Sequence, residues 1–206
     1  MFNQEDVLIP FNTSPLPPGP WLVFAPHADD ETFGMGGTLL KAKDRGIDTH
    51  LVVLTDGSKG GDAQDIVKTR LDEAKKASEI LGFKSLYFWD EPDRCLDLSD
   101  SLVTRASDLI FELKPACVFF PGPLEIHPDH RAAALLVWNA LQKTRDWEKG
   151  VQPYSYEIGV QNPINMLVNT TGVTSAKERV MSIYRSQNKE NNYPELVLAL
   201  NKGRTF

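Results

Sequence analysis

Short apolar runs alternate with longer amphipathic segments along most of this 206-residue chain. The runs are rich in valine, leucine and phenylalanine, whereas the longer segments repeat their apolar residues at helical spacing. Strands that alternate with helices form α/β domains, because right-handed crossovers through a helix bring consecutive strands into one parallel sheet. The pattern therefore predicts a single Rossmann-like, three-layer α/β/α domain with a mainly parallel sheet.

The order of these segments defines the candidate elements along the chain. The predicted strands cover residues 21–25, 50–54, 85–88, 116–120, 154–158 and 165–169. The predicted helices cover about 31–45, 64–81, 99–113, 128–145 and 174–186. Gly46 and Gly82 are expected to end the first two helices, because glycine readily adopts the left-handed conformation that often follows a helix. Five prolines predict an extended arm over residues 1–20, before a folded domain over residues 21–206.

The composition is that of an ordinary globular protein, and the charge distribution excludes some classes of binding partner. A net charge of −6 without a basic block argues against binding to nucleic acid or to an anionic membrane surface. We find no signal peptide and no apolar stretch of membrane-spanning length, so a cytoplasmic location is expected. Cys95 and Cys117 are too few for a disulfide framework. The oligomeric state does not follow from these features.

Three of the four histidines lie in two short acidic clusters, each of which follows a predicted strand. The first cluster is Pro-His-Ala-Asp-Asp-Glu at residues 26–31, and the second is His-Pro-Asp-His at residues 127–130. In a doubly wound sheet with the strand order 3-2-1-4-5, the first and fourth strands are neighbours, and ligands bind beyond their carboxyl ends. The two clusters are therefore expected to converge on one site.

The residue types in the two clusters favour a catalytic metal site. Imidazole and carboxylate groups together suit a zinc ion, and three protein ligands with one open position are typical of catalytic zinc. Pro128 fits the first turn of a helix, which places His127 at the helix mouth and His130 about one turn inside. Of the adjacent Asp29 and Asp30, one can ligate the ion while the other reaches the water bound to it.

The two clusters also resemble the signature motifs of a known enzyme family. Residues 25–31 and the Gly-Gly-Thr at 36–38 resemble the first motif of the LmbE-like (PIG-L) zinc N-deacetylases, with Ala28 in place of the usual proline. Residues 127–130 match the second motif of that family. Weaker landmarks of the family lie at residues 55–57, 70–73, 92–94 and 184–187. The family includes de-N-acetylases of N-acetylglucosaminyl-phosphatidylinositol and deacetylases of mycothiol and bacillithiol synthesis.

The resemblance implies a role for each motif residue. The implied zinc ligands are His27, Asp30 and His130. Asp29 becomes the general base, His127 faces the oxyanion or the leaving amine in its protonated form, and Asp129 is the carboxylate that orients His127. Either Asp29 or His127 can protonate the departing amine. The residues expected to contact the sugar are Arg70, Asp93 and Arg94, although Arg70 could instead form a surface ion pair with Glu73.

The resemblance implies a zinc-dependent hydrolase that removes the acetyl group from an N-acetylated amino sugar of the N-acetylglucosamine type. One alternative is a zinc amidase that acts on a larger amide, such as a thiol-sugar conjugate. Another is a carbohydrate-binding module without catalysis, although a binding module does not need Asp29 beside the metal. A phosphoesterase is less favoured, because the sequence offers no second metal cluster. The expected partner is a small amino-sugar substrate.

Overall fold

The computed structural model describes residues 13–62, 64–144 and 150–204. Within these residues it contains one parallel sheet of five strands, in the order β3-β2-β1-β4-β5. The strands β1 to β5 are Trp21–Ala25, Thr49–Thr55, Ser85–Glu91, Cys117–Pro121 and Gln152–Tyr156. The predicted α/β class and the predicted neighbourhood of the first and fourth strands are both confirmed.

Helices cover both faces of the sheet, as the predicted three layers require. The helices α1 to α7 are Asp30–Asp44, Ile66–Leu81, Asp100–Leu113, Pro128–Lys143, Thr174–Met181, Arg185–Asn188 and Tyr193–Lys202. Alternate residues of a strand point to opposite faces, so Val23 packs with α1, α2, α5 and α7, whereas Leu22 and Phe24 pack with α3 and α4. β1, β2 and β4 are buried at every position, as expected for parallel strands that are covered on both sides.

Two helix N-termini meet at the carboxyl edge of the sheet. α1 begins at Asp30, a few residues after β1, and α4 begins at Pro128, a few residues after β4. Because β1 and β4 are hydrogen-bonded neighbours, the loops before these helices lie side by side. At the far end of α2, Gly82 adopts the left-handed conformation with a φ of 82°, so the predicted stop is confirmed.

The structure differs from the predicted elements in the C-terminal third. The predicted strand at 165–169 is wrong, because Leu167 exchanges hydrogen bonds with Ser14 and so lies along the N-terminal segment rather than in the sheet. The predicted helix at 174–186 is interrupted between α5 and α6, where the buried ring of Tyr184 enters the core. The helix α7 was not predicted.

The predicted arm and domain division are only partly covered by the structure. Residues 1–12 and residue 145, where the fourth predicted helix was to end, lie outside the described residues. Residues 13–20 form neither helix nor strand, and the Trp21 indole donates hydrogen bonds to the carbonyls of Pro17 and Pro18. The division at residue 20 stays a prediction. None of the described helices combines the length and apolar character needed to cross a membrane.

Candidate active site

Three histidine rings converge beyond the carboxyl ends of β1 and β4. The ring centroids are 4.7 Å apart for His27 and His127, 5.0 Å for His127 and His130, and 5.4 Å for His27 and His130. His27 follows β1, His127 caps the N-terminus of α4, and His130 lies in the first turn of α4. The expected convergence of the two clusters follows from the sheet order.

The carboxylate of Asp30 lies between two of these rings. Its Oδ2 is 3.1 Å from Nδ1 of His27 and 3.2 Å from Nε2 of His130, and all three side chains are buried. Ligand atoms bound tetrahedrally to zinc at 2.0–2.2 Å are separated by about 3.3 Å. Burial alone would raise the pKa of Asp30, but the charge of His130 and the hydrogen bonds from both rings hold it below its usual range. The donor types suit a zinc ion, and each of these two distances to Asp30 matches the spacing of neighbouring zinc ligands.

Other donor atoms lie close enough to take part in a metal site. The donors of His27, His127 and His130 lie within 4.8 Å of one another, as do those of His27, Asp93, His127 and Asp129. However, Nε2 of His27 is already engaged at 3.2 Å by both Asp93 and Asp129. Metal-binding histidines are commonly held in this way by a carboxylate on the second ring nitrogen. This contact leaves Nδ1 of His27 directed toward Asp30.

Asp129 supports a different histidine from the one that the resemblance implied. Its carboxylate accepts hydrogen bonds from His27 Nε2 and from the amides of Arg94 and Leu96, at 3.2, 2.7 and 3.2 Å. His127 is held instead by the backbone amide of Asp129, which donates to Nδ1 at 3.2 Å. The physical reason is the helix start, because an N-cap side chain accepts an amide of the first turn.

The same contact bears on the protonation of His127. A ring nitrogen that accepts a hydrogen bond carries no proton, so the contact assigns the proton of a neutral ring to Nε2. Burial lowers the pKa of His127, and the neighbouring charges of His27 and His130 lower it further. The structure thus favours a neutral His127 that donates through Nε2, in place of the protonated ring that the sequence suggested.

Asp29 is buried beside Asp30 in a strained backbone conformation. Its φ of 145° is unusual for a residue other than glycine, and strain of this kind often marks functional sites. Burial raises the pKa of Asp29 to about 7, and the charge of Asp30 adds to the rise, although Arg70 at 3.4 Å opposes both. A carboxyl group with a pKa near neutrality can both accept and return a proton.

Glu31 forms a buried network that sequence reasoning missed. Its Oε1 accepts hydrogen bonds from the hydroxyls of Tyr184 at 2.8 Å and Thr32 at 2.6 Å, and its Oε2 accepts the amide of Asp29 at 3.3 Å. The side chain of Glu31 is fully buried, and this burial raises its pKa. The resemblance of residues 184–187 to a family motif indicated that this segment is important. It did not indicate that Tyr184 contacts Glu31.

Arg70 and Asp93 support the candidate catalytic groups. The guanidinium of Arg70 is buried and donates to Asp29 Oδ2 and to the Ala28 carbonyl, both at 3.4 Å. The alternative surface ion pair with Glu73 is not what the structure shows, because the Glu73 carboxylate accepts hydrogen bonds from Ser186. Burial acts to raise the pKa of Asp93, but the hydrogen bond and the charge of His27, together with the hydrogen bond from the Lys59 amide, lower that pKa to about 2.

Arg94 has an exposed side chain on the loop that follows β3. Its guanidinium donates to the Lys59 carbonyl at 3.5 Å, while its amide holds Asp129. Of the three residues expected to contact the sugar, Arg94 is therefore the most open to a ligand. Contact between the sugar and Arg70, Asp93 or Arg94 stays a prediction.

Glu125 is a second residue that sequence reasoning missed. It is buried in the loop between β4 and α4, and its Oε2 lies 3.8 Å from Nδ1 of His130. A carboxylate between two apolar residues, two positions before His127, was the only local signal.

The family model described as PIG-L: GlcNAc-PI de-N-acetylase matches residues 22–141. This span exceeds half of the chain and contains both histidine clusters. The chain belongs to the PIG-L family. The match ends within α4, so the helices α5 to α7 lie outside the family model. The hydrogen bond from Tyr184 to Glu31 joins a residue outside the matched span to one inside it.

This PIG-L chain is similar to two sugar deacetylases whose sequences can be compared with it. Diacetylchitobiose deacetylase of Thermococcus kodakarensis is 31% identical over 188 residues, which cover 82% of this chain and 70% of that protein. A Bacillus anthracis protein, "Probable N-acetyl-alpha-D-glucosaminyl L-malate deacetylase 2", is 32% identical over 132 residues, 58% of each chain. The chain therefore spans less than two thirds of the Bacillus protein.

A solved structure of a sugar deacetylase has a fold similar to that of this chain. N,N'-diacetylchitobiose deacetylase from Pyrococcus horikoshii superimposes with a TM-score of 0.72 at 27% identity, covering 81% of this PIG-L chain and 70% of that chain. The likeness supports the five-stranded parallel sheet flanked by helices.

Proposed function

We propose that this chain is a zinc-dependent hydrolase that removes the acetyl group from an amino sugar of the N-acetylglucosamine type. The observation that carries the proposal is the position of Asp29, a buried carboxylate outside the donor set of His27, Asp30 and His130 but beside it. The names of the Thermococcus and Bacillus relatives, both of which specify a deacetylase of a glucosamine derivative, support the same reaction.

The residues that would hold the zinc ion are His27, Asp30 and His130. Their donors are two imidazole nitrogens and one carboxylate oxygen, a set that suits catalytic zinc and leaves a position open. When bound, zinc supplies Lewis-acid chemistry, because it lowers the pKa of a water molecule and polarises the acetamide carbonyl. Asp93 and Asp129 would keep the His27 ring in place through its second nitrogen.

The proton transfers fall to Asp29 and His127. Asp29 accepts a proton from the attacking water as the new C–O bond forms at the acetamide carbon. Nε2–H of His127 donates a hydrogen bond to the oxygen that gains negative charge. The C–N bond then breaks, and the amine leaves with a proton returned by Asp29, or supplied by His127 when that ring carries a second proton. Acetate and the free amino sugar are the products.

The test is release of acetate and free amine from a panel of acetylated sugars. The panel contains N-acetylglucosamine, N,N'-diacetylchitobiose, N-acetylglucosaminyl malate and a thiol-sugar conjugate, each measured with the zinc-loaded protein and after chelation. We expect turnover of at least one acetylated glucosamine derivative, loss of turnover on chelation and recovery with zinc. Binding of the sugars without any turnover would favour a carbohydrate-binding module, and turnover that survives chelation would refute the zinc requirement.

A further inference from the structure

Glu125 points inward from a loop whose flanking side chains point outward. Leu124 and Ile126 are 66% and 80% exposed, whereas Glu125 is 3% exposed. This orientation reverses the usual preference of the three residue types, because carboxylates are seldom buried without a compensating partner. The loop backbone is held in this arrangement by Arg131, whose guanidinium donates to the carbonyls of Glu125 and Ile126.

The compensation comes in part from three consecutive backbone amides. Oε1 of Glu125 accepts hydrogen bonds from the amides of Ile158, Gly159 and Val160, at 2.8, 3.3 and 3.4 Å. Oε2 accepts the Gly159 amide at 3.1 Å. Successive amides that point to one centre form a concave anion site, and here the anion is a side chain of the chain itself. Glu125 therefore ties the segment that follows β5 to the mouth of α4.

The same carboxylate faces a histidine nitrogen that lacks a partner. Nδ1 of His130 is buried without a hydrogen bond, and Oε2 of Glu125 lies 3.8 Å from it, within ion-pair distance. The other nitrogen of His130 faces Asp30 at 3.2 Å. A histidine that binds a metal through one nitrogen commonly donates its other N–H to a carboxylate, which sets the ring orientation and its basicity.

We infer that Glu125 is a positioning residue that accepts the Nδ1–H of His130 and so holds the ring with Nε2 directed at the metal. The inference rests on the proposed function, in which His130 is a zinc ligand. Glu125 lies outside both histidine motifs. Through its carboxylate it connects the segment 158–160 to the metal site.

Glu157 offers a matched control, because it anchors the same segment without reaching His130. Its Oε1 accepts the amide of Asn162 and forms an ion pair with Arg204. A substitution at Glu157 disturbs the same segment, although Glu157 makes two hydrogen bonds there and Glu125 makes four. An effect of Glu125 on zinc that exceeds the difference in thermal stability between the two variants is then assigned to its contact with His130.

The experiment compares Glu125→Gln and Glu157→Gln with the wild type. Zinc affinity is measured on metal-free protein by competition with a chelator. Thermal unfolding then shows whether a variant has lost overall stability. We expect Glu125→Gln to weaken zinc binding by about 10- to 100-fold, while Glu157→Gln binds zinc as the wild type does. Equal weakening in both variants, or no weakening in Glu125→Gln, would overturn the inference.

A spectroscopic measurement keeps the inference testable if Glu125→Gln does not fold. In the metal-free wild type, the Nδ1–H proton of His130 should appear in NMR spectra as a slowly exchanging signal, assigned by its absence in His130→Gln. Rapid exchange of that proton would contradict the contact with Glu125. A wild type that binds no zinc would refute the proposed function, and the metal-free spectra would still decide whether Glu125 holds His130.

Discussion

Removal of one hydroxyl group, in Tyr184→Phe, tests the buried network behind Asp29. The substitution keeps the ring, which packs edge-on against Phe33 with centroids 5.9 Å apart, and deletes the hydrogen bond of 2.8 Å to Glu31. Glu31 keeps the Thr32 hydroxyl on the same oxygen. The change therefore removes a buried hydrogen bond with little change in packing.

The size of the effect follows from the burial of both partners. A hydrogen bond to a buried carboxyl group stabilises by about 1.5–3 kcal/mol, because its loss leaves a desolvated acceptor poorly satisfied. For a chain of 206 residues, this loss corresponds to a fall in Tm of about 3–12 °C. Glu31 also accepts the Asp29 amide, so we expect a several-fold fall in kcat while zinc content is unchanged.

The control is Tyr154→Phe, which deletes an exposed hydroxyl that donates to Gln152 at 2.8 Å. The Tyr154 ring stacks on Phe119, and phenylalanine keeps that contact. Both variants and the wild type are unfolded in urea under identical conditions. A loss in Tyr184→Phe of less than about 0.5 kcal/mol, or no larger than the loss in Tyr154→Phe, would refute the reasoning.

Four further predictions concern the site and the core. His130→Ala should lose zinc and activity together, and full zinc occupancy by elemental analysis would contradict its place in the ligand set. Asp29→Asn should keep zinc and fold but lose at least about 100-fold in kcat, whereas near-normal turnover would assign the base to another group. Arg70→Ala should lower both kcat and Tm, because it leaves Asp29 without its buried partner, and a change in KM alone would instead indicate direct sugar contact. The last prediction concerns Lys177, whose pKa burial lowers to about 8. The unfolded chain holds this proton up to its ordinary pKa of about 10.4, so between these values the unfolded state binds more protons and stability rises with pH. Relative to Lys177→Met, the wild type should gain about 2.5 kcal/mol in free energy of unfolding from pH 8 to 10.5, and parallel pH profiles of the two proteins would contradict this.

Local patterns were sufficient to predict the layers of the fold and the order of its sheet. β1 was predicted at residues 21–25 and is observed at Trp21–Ala25, because an apolar run of that length between proline and histidine motifs has few alternatives. Gly82 was predicted to end α2 and does so, since its left-handed backbone depends on the residue type. The neighbouring positions of β1 and β4 follow from general rules of parallel sheets.

Elements whose partners lie far away in the chain could not be predicted in this way. Residues 165–169 have the composition of a strand, but Ser14 pairs with Leu167 and removes the segment from the sheet. The interruption between α5 and α6 depends on Tyr184 reaching Glu31, which is 153 residues away in sequence. Contacts of this separation depend on how the layers pack, and a window of sequence contains no information about them.

The candidate site was likewise predictable from the sequence only in part. Residue types and the positions of two motifs after neighbouring strands were enough to predict a cluster of histidine and aspartate that suits zinc. Only the tertiary structure decided that the Asp129 carboxylate holds His27, 102 residues away, while its backbone amide holds His127. A hydrogen bond forms with whichever group lies within about 3.2 Å, so the supporting role of each side chain is set by packing, whereas the sequence by itself determined which chemical groups were available.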